Sequence, residues 1–117
     1  MELRRRMVTG DVVSKVIQYC AQHYQEGICQ QDLCRELRLS RSYISRVFSH
    51  SLNTSFPEYM NALRLNSAIS LLQDDSVNMT QVAERSGFPT IRSFNRVFFK
   101  QYGCSPTDYR KHLKKKA

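Results

Sequence analysis

One motif occurs twice in the 117 residues. Arg46-Val47-Phe48 recurs as Arg96-Val97-Phe98 at an offset of 50, and Asn53/Gly103, Ser55/Ser105 and Tyr59/Tyr109 keep that offset. Upstream, Leu33-Cys34 matches Val82-Ala83 at an offset of 49, so the second copy has one residue more in its turn. Each copy reads as a short helix, a tight turn and a longer helix, the helix-turn-helix plan. A chain of this length holds one compact domain, or two very small subdomains sharing a boundary. The repeat therefore occupies almost all of it, which excludes a large enzyme barrel, a doubly wound sheet or a separate sensory domain.

The apolar spacing is helical from end to end. Asp11 is a candidate cap for a helix with Val12, Val13, Val16, Ile17, Cys20 and Tyr24 at three- and four-residue steps, ended by Gly27. A short helix follows, with Leu33, Cys34 and Leu37 inward. Ser40 caps a third, burying Ile44, Val47, Phe48 and Leu52, and Asn53 closes it in the left-handed conformation. Ser55, Pro57 and Glu58 start a long fourth helix whose apolar residues wrap more than one face, until Asp74-Asp75-Ser76 breaks it. Then come a short helix with Val82 and Ala83, the turn Ser86-Gly87-Phe88-Pro89, a helix with Phe94, Val97 and Phe98, and a last one opened by Pro106. No stretch alternates with period two. The expectation is an all-α chain of about seven helices: a basic N-terminal tail or linker stub over 1–10, a helix-turn-helix subdomain over 11–55, a linking helix over 56–75, a second subdomain over 76–110 and a basic tail over 111–117.

Net charge is +8, but its placement carries more than its size. Arg4, Arg5, Arg6, Arg110, Lys111, Lys114, Lys115 and Lys116 lie at the two ends, and residues 7–109 carry only +1. Within that span the charge alternates. Residues 11–36 hold −2, 37–57 hold +3 with no acid, 58–84 hold −3, and 85–107 hold +4 with no acid. Both acid-free windows contain the longer helix of a repeat.

On the first of those helices, burying 44, 47 and 48 leaves Ser42, Ser45, Arg46 and Ser49 outward; on the second, burying 94, 97 and 98 leaves Ile91, Arg92, Asn95, Arg96 and Phe99 outward. Arg suits guanine, Asn suits adenine, and Ile can pack on a thymine methyl. An Arg every few residues on one exposed helix is ordinarily just solvation. Exclusion of carboxylates from both faces is what points to a polyanion, because phosphates would repel them. Double-stranded DNA is the expected partner.

Other chemistry finds little support. Cys20, Cys29, Cys34 and Cys104 include no C-x-x-C pair, and Cys20-x-x-His23 is the one cluster with any ligand logic, so buried or half-exposed thiols are expected rather than a metal site. With 4 Gly and no Gly-rich phosphate loop, no nucleotide cofactor is implied. His23, His50 and His112 have no carboxylate pair or nucleophile at a convincing spacing, so no catalysis and no cofactor are expected. No apolar run approaches the roughly 18–20 residues that cross a bilayer, and the N-terminus lacks a secretory apolar core, which points to a cytoplasmic chain without a membrane partner.

Ser86-Gly87-Phe88, Phe94-Asn95-Arg96-Val97-Phe98 and Tyr102-Gly103-x-Ser105-Pro106-x-x-Tyr109-Arg110 resemble the DNA-binding domain of the AraC/XylS family of bacterial transcription regulators. The first unit fits more loosely, and together they cover about 27–110. The resemblance implies seven helices in two helix-turn-helix subdomains, joined by a linking helix and set in two successive major grooves. By position it makes Ser42, Ser45 and Arg46 base readers in one groove and Ile91, Arg92, Asn95 and Arg96 in the next. Ser40, Arg41, Thr90 and Lys100 become phosphate contacts. Three departures stand out. Arg38 replaces a small turn residue, so that turn is expected to be shaped differently. Serines stand where larger readers are common, so readout there is expected to be sparse and partly water-mediated. Phe99 stands where a Lys is common and is expected to pack under the last helix.

The resulting expectation is sequence-specific DNA binding that activates or represses transcription, with RNA polymerase as a possible further partner. Family members often carry a sensory or dimerising domain, so the chain reads as a small standalone regulator or, by preference, as the excised C-terminal part of a larger one. The alternative is a non-catalytic helical protein-interaction module whose tails bind nucleic acid without reading it.

Overall fold

A computed structural model describes residues 10–116. It contains helices α1 (Gly10–His23, followed by a 3-10 turn at Tyr24–Glu26), α2 (Gln30–Leu37), α3 (Arg41–Arg46, widening into a π-helical segment at Val47–Ser51), α4 (Phe56–Leu72), α5 (Met79–Ser86), α6 (Ile91–Tyr102) and α7 (Pro106–Lys116). Among the described residues there is no strand. Two compact units divide the chain inside α4: 10–24 with 28–60, and 25–27 with 61–116.

The first unit buries Val16 and Cys20 from α1, Leu33 from α2, Ile44, Val47 and Phe48 from α3 and its extension, and Phe56 and Met60 from the start of α4. Phe48 anchors it, with the Phe56 ring edge-on at 5.6 Å and the Tyr59 ring at the same distance. Burial pushes the Cys20 thiol up to about 11. The second unit collects Leu65, Ala68 and Leu72 of α4 with Val77, Val82, Ala83, Phe88, Phe94 and Phe98. There Phe98 is the hub, 4.7 Å from the Tyr102 ring and 5.5 Å from that of Tyr109.

The repeat extends to individual hydrogen bonds. Ser40 accepts the Tyr43 N–H at 3.1 Å, and Thr90, 50 residues on, accepts the Ser93 N–H at 2.9 Å. Ser55 accepts from Glu58 N–H at 3.3 Å, and Ser105 from Asp108 N–H at 3.1 Å. At the shorter offset, Asp32 accepts the Cys29 N–H at 2.8 Å as Gln81 accepts that of Asn78 at 3.0 Å. Each bond satisfies an orphan donor at a helix start.

Three sequence expectations need revision. Asp11 is not the cap of α1, because the helix already includes Gly10; its carboxylate sits in the first turn and pairs with Lys15 at 3.5 Å. The third helix does not stay α-helical: past Arg46 it opens to wider turns, closed by Leu52 N–H donating to Val47 C=O at 3.1 Å. Residues 111–116 are not a tail but the rest of α7. What holds them is Arg110, whose side chain is only 13% exposed. Its guanidinium donates to the carbonyls of Leu72 (3.0 Å), Leu71 (3.4 Å) and Asp74 (3.1 Å), and Lys114 pairs with Asp75 at 3.3 Å. The Leu72 carbonyl is an orphan acceptor where α4 ends, whereas those of Leu71 and Asp74 also accept the Asp74 and Val77 N–H groups at 3.1 Å. The chain end beside them is also set by Asp74, which accepts the Ser76 hydroxyl (2.6 Å) and N–H (2.9 Å). Those two bonds, with the nearby Arg110 and Arg85 charges, hold its carboxyl below the ordinary range. Residues 1–9, with the Arg4-Arg5-Arg6 run of the expected N-terminal tail, lie outside the described residues, as does Ala117.

Candidate nucleic-acid interface

Each unit presents its longer helix through a turn of the same kind. In the second, Gly87 has φ 95° and its N–H returns to Ala83 C=O, while Phe88 N–H reaches the same carbonyl at 3.0 Å. In the first, Arg38 has φ 56°, its N–H returns to Cys34 C=O, and Leu39 N–H reaches that carbonyl at 3.0 Å. The expectation of a differently shaped turn is thus corrected: Arg38 takes the left-handed conformation that glycine takes in the other unit, and the hydrogen bonding is the same. The extra residue of the second copy is Pro89, inserted between the left-handed turn and the cap at Thr90.

Past the first turn, Ile44, Val47 and Phe48 point inward, leaving Ser40, Arg41, Ser42 and Ser45 exposed and Arg46 half-buried. Arg46 closes the regular part of α3, and its carbonyl lies 3.5 Å from the Ser49 hydroxyl that donates to it. Gln30, at the start of α2, donates its Nε2 to Ser45 Oγ at 3.2 Å. Sequence periodicity did not single out Gln30, since the bond spans 15 residues and depends on how α2 meets α3. Its effect is to orient the Ser45 hydroxyl on the exposed face of α3.

In the second unit, Phe94 and Phe98 are fully buried, and Thr90, Ile91, Arg92, Asn95, Arg96 and Lys100 are exposed. Ser40 and Thr90 each use an oxygen lone pair for the cap bond, which leaves the hydroxyl proton able to donate outward to an anion. Beside them, the first N–H groups of the helix have no intrahelical acceptor. Phe99 is the exception to expectation: its ring is 60% exposed and does not pack under α7. Phe98, one residue earlier, already fills that space against Tyr109.

The helix-turn-helix domain model matches residues 33–112. The chain belongs to the helix-turn-helix domain family. Among curated relatives of this helix-turn-helix chain, the HTH-type transcriptional activator RhaR of Mannheimia succiniciproducens is 35% identical over 85 residues, covering 73% of this chain and 31% of its own length. Among solved structures, the C-terminal domain of AraT, a response regulator from Geobacillus stearothermophilus, superposes with a TM-score of 0.81 at 29% identity, covering 86% of this chain and 84% of that one. The DNA-binding domain of AdpA, a global transcriptional factor solved with a target DNA, shares the fold at a TM-score of 0.83 and 23% identity, covering 89% and 94% of the two chains. RhaR is named as a transcriptional activator, AraT as a response regulator and AdpA as a transcriptional factor. The chain spans about a third of the length of the curated relatives it matches. No helix among the described residues is long and apolar enough to cross a membrane.

Proposed function

We propose that this chain is the DNA-binding part of a bacterial transcription regulator of the AraC/XylS kind, binding double-stranded DNA in a sequence-specific way. The observation that carries the reading is the duplicated turn-and-cap framework, each copy presenting an acid-free, basic helix face. Helix α3 enters one major groove with Ser42, Ser45 and Arg46, the hydroxyl of Ser45 set by Gln30. Helix α6 enters the next with Ile91, Arg92, Asn95 and Arg96. Ser40, Arg41, Thr90 and Lys100 hold phosphates at the edges, fixing register without carrying sequence. The two half-sites then lie about one helical turn, ~10 bp, apart. Such a protein works in the bacterial cytoplasm, and a longer parent chain would add a sensory or dimerising segment and contacts to RNA polymerase.

The test is selection from a random duplex pool followed by affinity measurement on the enriched site. Two short motifs a helical turn apart are expected. Arg46→Ala and Arg96→Ala each cost on the order of 1–3 kcal/mol there and relax one base preference. Arg41→Ala and Lys100→Ala weaken all sequences alike and lower the salt slope by about 1. No enrichment, or wild-type discrimination by both reader variants, defeats the groove assignment.

A further inference from the structure

Among the described residues, every exposed large hydrophobic side chain sits on α6: Ile91 (41%), Phe99 (60%) and Tyr102 (39%). Tyr102 is the rim of the core, its ring 4.7 Å from Phe98 and 5.8 Å from Tyr109. Ile91 belongs to the reading face already described. Phe99 is left without a structural reason. It forgoes burial although buried aromatics surround the base of its own helix, and no ring lies against it among the described residues.

Its position gives it another reason. Ile91, Asn95 and Phe99 follow at four-residue steps and form one row along the outward face, with Arg92 and Arg96 beside it. An exposed row with an apolar residue at each end and guanidinium groups along one side, in a segment with no carboxylate from 85 through 107, suits a surface that is apolar in its floor and anionic at its rims. A major groove containing thymine is such a surface, because each thymine presents a C5 methyl there between two phosphate backbones. We propose that Phe99 is a further base-reading residue, packing its ring on a thymine methyl in the groove that α6 enters. This rests on the groove assignment above. Eight residues of helix separate Phe99 from Ile91 by about 12 Å. At about 3.4 Å per step, the two side chains read methyl groups on the order of three to four base pairs apart.

The experiment uses the full chain and the duplex enriched from the random pool, with each thymine of the second half-site replaced in turn by deoxyuridine, which removes only the methyl. Wild-type protein is expected to lose about fourfold in affinity at two positions, one for each apolar reader. Phe99→Ala removes the penalty at one position and leaves that at the other, and Phe99→Leu retains part of it. Both variants should melt as the wild type does, since the ring is largely exposed. If Phe99→Ala keeps the wild-type deoxyuridine profile while Arg96→Ala loses affinity, Phe99 does not read thymine although the groove assignment stands. If Arg96→Ala also binds cognate and scrambled duplexes like the wild type, the groove assignment fails and this proposal with it. If Phe99→Ala keeps its DNA profile but loses transcription in the presence of RNA polymerase, the ring faces a protein and the proposal is overturned.

Discussion

Arg38→Gly should stabilise the first unit, and Arg38→Ala should not. Arg38 adopts φ 56° and ψ 46°, the left-handed conformation that Gly87 supplies at the matching turn with φ 95° and ψ 11°. For a residue with a Cβ this conformation costs roughly 1–2 kcal/mol. Glycine removes that strain but loses more freedom on folding, a countervailing cost of about 0.5–1 kcal/mol. The net expected gain is on the order of 0.5–1 kcal/mol, or a melting point roughly 3–6 °C higher for a unit of this size. The alanine variant is the necessary control. It loses the same exposed guanidinium and the same charge, yet keeps the Cβ and therefore the strain. The assay is urea or thermal denaturation of wild type and both variants, followed by circular dichroism at one ionic strength. A glycine variant no more stable than the alanine variant would refute the reasoning, because backbone strain is the one term on which the two differ in this direction.

Three further outcomes are expected. Ser86 is fully buried and its hydroxyl has no hydrogen-bond partner among the described residues, so Ser86→Ala should raise the urea midpoint, with a gain of up to about 1–2 kcal/mol; a marked loss would mean the hydroxyl is paired. Arg110→Leu should cost about 2–3 kcal/mol in the same measurement, since it removes the charged donor of the Leu72 carbonyl together with the second bonds to Leu71 and Asp74, and Arg110→Lys should recover only part of it because an ammonium lacks the planar fork. The Cys20 thiol, pushed up to about 11 in the folded chain from about 9.0, favours folding below pH 9 and loses that contribution as pH rises towards 11. Stability should accordingly fall by roughly 1 kcal/mol between pH 8 and 10, and Cys20→Ala should flatten that fall in a pH series of denaturation curves.

Legibility in the sequence followed the range of the interaction responsible. Helix starts at Ser40, Ser55, Thr90 and Ser105 are short-range: each cap bond joins residues three apart, so the residue type and spacing already contain it. The inward faces were legible for the same reason, since Ile44, Val47 and Phe48 and their counterparts Phe94 and Phe98 are buried where the periodicity puts them. The features that escaped depend on residues far apart in the chain. Arg110 looks like one more cation in a basic end until the carbonyls of Leu71, Leu72 and Asp74, up to 39 residues away, are seen to converge on it. Gln30 on Ser45 is the same kind of case. Phe99 fails differently: its expected site under α7 is already filled by Phe98, and periodicity alone cannot show which of two adjacent aromatic residues takes a single space.

The two copies have kept one framework and diverged in what each contributes. The first carries its left-handed turns on Arg38 and Asn53, where the second has Gly87 and Gly103, so the first copy holds a side chain in the left-handed conformation at both junctions flanking α3, with the greater strain at Arg38. It also widens that helix immediately after Arg46 and sets two small hydroxyls, Ser42 and Ser45, beside the single half-buried Arg46. The second copy has a regular 12-residue helix carrying two arginines, an asparagine and, on the same outward face, the exposed Ile91 and Phe99. A helix with several long, chemically distinct side chains is suited to choosing among bases; one with serines and a single arginine offers fewer such contacts. Base discrimination should therefore be concentrated in the half-site contacted by the second unit. In the selected duplexes, information content per base pair is expected to be higher there, and an equal division between the two half-sites would show that the number of long side chains does not set how the work is shared.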